Sequence, residues 1–161
     1  MTDSLFASAT LVGLVVGSRA VVSSISQPFF GRLADHVPRH GMIVIGGMVL
    51  AAATAVIPQV PSVGMLLLIF LVLGLAESVA LPASLAITTD LGRSYGFGTL
   101  IGFSNSILVL GLLVGSLGSS LIEAEMGMVS MFISVALFMA FMFVVFLAMW
   151  LRGVHLVTNT S

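Results

Sequence analysis

Apolar residues run along this chain in five long stretches, at about 5–30, 41–57, 63–86, 99–122 and 127–151. A helix that crosses a bilayer needs roughly 20 predominantly apolar residues. The second stretch is the shortest and stops at Pro58. None shows the every-other-residue alternation of a barrel strand, so helices are predicted throughout. The connections are short. "PQVPS" at 58–62 is neutral, and its prolines end one helix and start the next. "EAEMG" at 123–127 is acidic, whereas "GRLADHVPRH" at 31–40 and "TTDLGRSYGFG" at 88–98 carry arginine.

Composition makes the bilayer reading firm. The 161 residues are 59% hydrophobic and 7% charged, with a mean hydropathy of +1.26. A soluble domain carries about 25% charged residues, so a globule this poor in charge would have no polar surface to present to water. Net charge is −1, there is no lysine, and nothing favours a nucleic-acid partner. Cysteine is absent, which excludes disulfides, thiolate chemistry and cysteine-ligated zinc. The N-terminus "MTDSLFAS" has neither a basic n-region nor a cleavage site, so no signal peptide is read there.

Charge also orients the spans. With simple alternation, Arg32, Arg39, Arg93 and Arg152 fall on one side, with His155, while Asp3, Glu123 and Glu125 fall on the other. The positive-inside rule then puts the N-terminus outside and a short tail, 152–161, in the cytoplasm. Tyr95, Phe97 and Trp150 fall near the cytoplasmic boundary, where interfacial aromatics are expected. The expected location is the cell (inner) membrane, as a multi-pass protein. An odd number of spans beginning outside leads to the expectation that a segment is missing upstream.

A few polar residues interrupt the apolar runs. Arg19 sits near the middle of the first and Glu77 near the middle of the third, where a charge costs about 2.5–3.5 kcal/mol on insertion scales. Ser23 and Gln27 follow Arg19 at i+4 and i+8, on one helical face. Two readings stay open: a structural Arg19–Glu77 ion pair, or contact with substrate or a coupling proton. The fourth run holds small residues at Gly98–Gly102 and Gly111–Gly115, continuing to Ser119, a spacing that lets another helix approach closely. Asn105 in that run either hydrogen-bonds substrate or ties two helices together. His36 and His40 have the i, i+4 spacing of helical metal ligands, but Pro38 lies between them and there is no third ligand. No metal site and no cofactor is expected. With no nucleophile–base pair and no phosphate loop, the chain is not read as an enzyme.

The decamer "GRLADHVPRH" resembles the loop signature G-x-L-A-D-R-x-G-R-R/K of the major facilitator superfamily, through Gly31, Leu33, Ala34, Asp35 and Arg39. His36, Pro38 and His40 depart from it. "LPASLAITTDLGRSYGFGTLIGF" at 81–103 is similar to the family stretch P-x-x-x-A-x-x-x-D-x-x-x-R-x-x-G, through Pro82, Ala86, Asp90, Arg93 and the glycines at 96 and 98. The resemblance implies an all-α membrane protein in which 1–151 is a partial C-terminal domain, its five helices like helices eight to twelve of a twelve-helix transporter. It implies secondary-active transport of a small solute between two rocking halves. The loop motif would then gate the cytoplasmic side, with Asp35 near the N-terminus of a helix from the other half. Arg19, Glu77, Gln27 and Asn105 are the candidates for substrate or proton coupling. Besides substrate and lipid, the implied partner is the missing N-terminal half or a second copy. The alternative is a non-transporting remnant or a membrane assembly subunit.

Overall fold

A computed structural model describes residues 2–158, with side chains for 10–93 and 96–152. The side chains of Asp3, Tyr95 and His155, assigned above to the membrane boundaries or the tail, lie outside the described residues. Helix α1 spans Thr2–Ala34, α2 Arg39–Val56, α3 Val63–Tyr95 and α4 Phe97–Thr158, with a single 3-10 turn, Ile57–Gln59, after α2. No strand occurs among the described residues.

Each helix begins or ends for a local reason. Pro38 precedes α2, where the missing N–H of a proline is harmless. Pro58 lies in the 3-10 turn, and Ser62 caps α3 by accepting a hydrogen bond from the Met65 N–H at 3.4 Å. Gly96 closes α3 with φ 90°, a left-handed value that side chains with a Cβ rarely adopt. Within α1 and α3, Pro28 and Pro82 interrupt the ladder, leaving the carbonyls of Ser24 and Ser78 without their helical donors.

The helix count departs from five. The runs predicted at 99–122 and 127–151 form one element, α4, and "EAEMG" is helical until Gly127. Gly127 has φ 82° and ψ 167°, a break between two arms at 97–126 and 128–158. The 62 residues of α4 would measure about 93 Å as one rod. A hydrocarbon core is about 30 Å thick, so a single straight crossing is impossible and the break must carry any second crossing. Among the described residues, four segments are long and apolar enough to span: Thr10–Ala34, Arg39–Gln59, Val63–Arg93 and Phe97–Arg152. The helices also outrun the apolar runs at α1, which reaches Ala34, and at α3, which reaches Tyr95. Apolarity marks where a helix is in lipid, but only proline or glycine ends it.

Packing follows the order α1 on α3, α3 on α2, and α2 on α4. Small residues allow the closest approaches. A Cβ added at Gly46 would meet the Ala76 carbonyl oxygen at 2.8 Å, and one at Gly47 would collide with the Phe143 ring. The buried cluster Ala34, Met42 and Ala83, with Phe30, Ile43 and Val79 against it, ties α1, α2 and α3 together beside the 35–38 turn. The first arm of α4 is different. Every residue from 101 to 117 is exposed, on all faces of the helix. Added Cβ atoms at Gly98, Gly102, Gly111 and Gly115 would meet nothing within 4 Å.

Candidate functional site

The centre of the α1–α3 contact is set by a glycine. A Cβ at Gly74 would lie 2.5 Å from the carbonyl oxygen of Arg19, so the two backbones touch there. One turn further along α3, Glu77 reaches the same residue: Arg19 Nε donates to Glu77 Oε2 at 3.0 Å. Counted along the spans, Glu77 is one residue from the centre of Val63–Arg93, and Arg19 is three from the centre of Thr10–Ala34. At about 1.5 Å per residue both lie within about 5 Å of mid-span. The pair is half-buried, with 39% of the Arg19 side chain and 30% of the Glu77 side chain exposed.

Below Arg19 the polar stripe is satisfied locally. Gln27 Nε2 donates to Ser23 Oγ at 3.1 Å, and Ser23 is buried. Ser78, next to Glu77, is wholly buried, and its hydroxyl donates to the Leu75 carbonyl at 2.6 Å. An open cavity of about 370 Å³ adjoins the ion pair, lined by Val16, Arg19, Ala20, Ser23, Ser24 and Glu77. Its walls combine one cation, one anion, two hydroxyls and small apolar groups. Arg19 makes a single hydrogen bond, through Nε, and its two terminal amino groups have no partner among the described residues.

A second polar cluster closes the end of the bundle where the 35–38 turn lies. Arg39 is its hub. Its Nε donates to the Ala34 carbonyl at 3.1 Å, its Nη1 pairs with Asp90 of α3, and its Nη2 stands 3.9 Å from Asp35. One guanidinium thereby joins the end of α1, the start of α2 and the end of α3. Next to it, His40 stacks on Trp150 and Phe146 of α4, with centroid separations of 5.4 and 6.0 Å. His36 does not join His40; its Nδ1 lies 2.9 Å from the Arg32 carbonyl oxygen.

The sequence-derived candidates therefore separate into three places. Arg19 and Glu77 meet on the α1–α3 contact, and Gln27, two turns along α1, bonds to Ser23 on its own helix. Ala34 and Arg39 build the loop-end cluster, while Asp35, with 67% of its side chain exposed, points to its edge. Leu33 is exposed and Gly31 has open space around it, so neither takes part in a close contact. Asn105 lies on the uncovered arm of α4, exposed and with no hydrogen-bond partner among the described residues. Sequence reasoning missed Gly74 and Ser24. Gly74 looks like any glycine in an apolar run, and only the crossing point reveals it. Ser24 lies a residue off the Arg19–Ser23–Gln27 stripe. Asp90 was visible only as part of a motif, not as the partner of Arg39.

Comparison with known proteins adds one finding. A family model described as Major Facilitator Superfamily matches residues 1–159. No curated protein and no solved structure matches the chain.

Proposed function

The chain belongs to the Major Facilitator Superfamily and is a transporter module of that family, and we propose that it moves a small solute by alternating access around the Arg19–Glu77 pair. One observation carries this reading: two opposite charges meet at mid-span beside a cavity of about 370 Å³ that two serines share with apolar side chains. Charged residues at that depth are expensive and mark substrate or ion pathways. Ser23 and Ser24 extend the lining toward the loop end, and Gln27 holds the Ser23 hydroxyl. The Arg39 cluster is the gate, with exposed Asp35, only loosely held by Arg39 at 3.9 Å, placed to receive the positive N-terminal end of a helix from a partner half. The N-terminus is outside and the C-terminus in the cytoplasm of the cell membrane. The meeting of Arg39, Asp90 and Trp150 at one end of the bundle supports that orientation.

The bare arm at 101–117 supports a further part of the reading: the working transporter contains a partner half or a second copy, and the lone chain carries out no transport. The same arm favours the second reading, a non-transporting assembly subunit. The absence of cysteine allows a direct test. A single cysteine is introduced as Ser24→Cys, and an impermeant maleimide is applied to right-side-out and inside-out vesicles from the native membrane. Alternating access requires labelling in both orientations. Labelling in neither would mean that Ser24 faces lipid, and labelling from one side alone would mean a fixed pocket; either result overturns the proposal.

A further inference from the structure

We infer that the solute is a small organic anion, held by the unoccupied fork of Arg19; this rests on the transport reading above and specifies its ligand. The argument starts from hydrogen-bond capacity. A guanidinium has five N–H donors in a planar fork. In this structure one of them, on Nε, is committed to Glu77, and the two terminal amino groups have no partner among the described residues. Those donors belong to a residue that lines the cavity of about 370 Å³. That is room for a small-molecule ligand. A planar fork matches a carboxylate or phosphate group with two parallel bonds, which lysine cannot do.

The pairing with Glu77 sharpens the inference. A fully engaged salt bridge, with both carboxylate oxygens on two guanidinium nitrogens, would leave Arg19 little capacity for a ligand. Here the contact is a single bond at 3.0 Å. Glu77 therefore holds Arg19 in place by one edge and leaves the other edge for a ligand. No other cation lines this cavity. Arg32, Arg39, Arg93 and Arg152 lie toward the loop end, and the chain has no lysine. Ser23 and Ser24 line the same cavity; Ser24 is exposed, whereas Ser23 is buried and its hydroxyl accepts from Gln27. They suit a ligand with a hydroxyl or similar polar group next to its charge. Glu77 itself competes as an anion, so its neutral replacement strengthens ligand binding.

The test uses phenylglyoxal, which modifies guanidinium groups, on the full chain in its native membrane, with modification read arginine by arginine by mass spectrometry of peptic fragments. The probes are acetate, lactate, succinate and inorganic phosphate, with acetamide and glycerol as neutral counterparts at equal ionic strength. At least one of the three carboxylates should slow modification of Arg19 by about tenfold at saturation, the order expected for charge-assisted bonds, and protection by inorganic phosphate alone would overturn the organic class. The exposed Arg152 should be unaffected, and the neutral compounds should do nothing. Glu77→Gln should lower the concentration of anion needed for half-protection. Equal Arg19 modification in anions and neutral compounds would overturn the proposal, as would weaker protection in Glu77→Gln. The two readings fail separately. Two-sided labelling of Ser24→Cys without anion protection removes the ligand class but keeps transport. Anion protection with one-sided labelling keeps the binding site and removes alternating access.

Discussion

Removing Arg19 and Glu77 singly and together gives the most direct measure of what joins α1 to α3. Arg19→Ala strands Glu77 at mid-span, and Glu77→Ala strands Arg19. A lone arginine or acidic residue at a helix centre costs about 2.5–3.5 kcal/mol on insertion scales. The attraction it loses is set by geometry. Unit charges about 4 Å apart interact by about 4 kcal/mol at an effective dielectric constant of 20. With 39% and 30% of the two side chains exposed, screening reduces that figure, and a coupling of about 1–3 kcal/mol is expected. The double variant removes both the attraction and both desolvation penalties, so it should accumulate better than either single variant. Replacing a buried pair with apolar groups is often neutral for stability. A double-mutant cycle should score membrane accumulation and uptake by the assembled transporter separately. Accumulation should recover in the double variant while uptake stays lost. Additive losses of accumulation would show that the residues do not interact, and full recovery of uptake would make the pair purely structural.

Three other outcomes follow from single contacts. Gly74→Ala places a Cβ 2.5 Å from the Arg19 carbonyl oxygen, closer than ordinary contact at 3.4–4 Å, so α1 must retreat by about 1 Å; denaturant titration should show a loss of about 1–3 kcal/mol. Gly111→Ala, whose Cβ meets nothing within 4 Å, should stay within about 0.5 kcal/mol in the same assay, and an equal loss at both sites would refute the crossing point. Arg39→Ala removes a partly exposed ion pair with Asp90 and the bond to the Ala34 carbonyl, so stability should fall by about 1–2 kcal/mol while uptake falls several-fold; unchanged uptake would remove the gate from the mechanism. Trp150 is the only tryptophan, so its emission reports its ring stack directly: His40→Ala should change it and His36→Ala should not, and the reverse pattern would contradict the observed stacking.

The membrane class, the helical content and the family were legible because they rest on long-range averages: run length, charge density and one loop motif. The boundaries were less legible. Apolarity ends where lipid ends, whereas α3 continues for nine residues past 86 to Tyr95 because nothing in "ITTDLGRSY" stops a helix. The division at Gly127 was visible as a break in apolarity at "EAEMG", but not as one glycine with a positive φ inside an otherwise helical segment. At the candidate site, Arg19 and Glu77 stood out because charge is scarce at that depth. Their partnership needs contact across 58 positions, and no local pattern encodes it. Gly74 and Ser24 stayed hidden for the opposite reason. Glycine and serine are common in membrane helices, and only the crossing of α1 over α3 distinguishes these two from the rest.

The two arginine pairs show how so few charges can organise an apolar chain. Arg19–Glu77 joins α1 to α3 at mid-span, and Arg39–Asp90 joins the start of α2 to the end of α3. Both acids are on α3, 13 residues and about 20 Å apart along one helix. In lipid, no hydrophobic driving force favours one helix neighbour over another, because acyl chains are as apolar as leucine. Polar pairs and close-packing glycines must then select the neighbours. Gly46 and Gly74 let α2 and α1 approach α3, and Gly47 lets α4 approach α2, while each arginine finds its acid across those same contacts. The first arm of α4 follows neither rule: a Cβ on its glycines would meet nothing within 4 Å, and Asn105 has no partner among the described residues. Where the chain supplies both the small residues and the complementary charge, its helices pack. The α2–α4 contact carries no ion pair among the described residues, but there the Phe143 ring fills the space over Gly47; the first arm of α4 has neither a ring nor a charge against its glycines, and it stays bare.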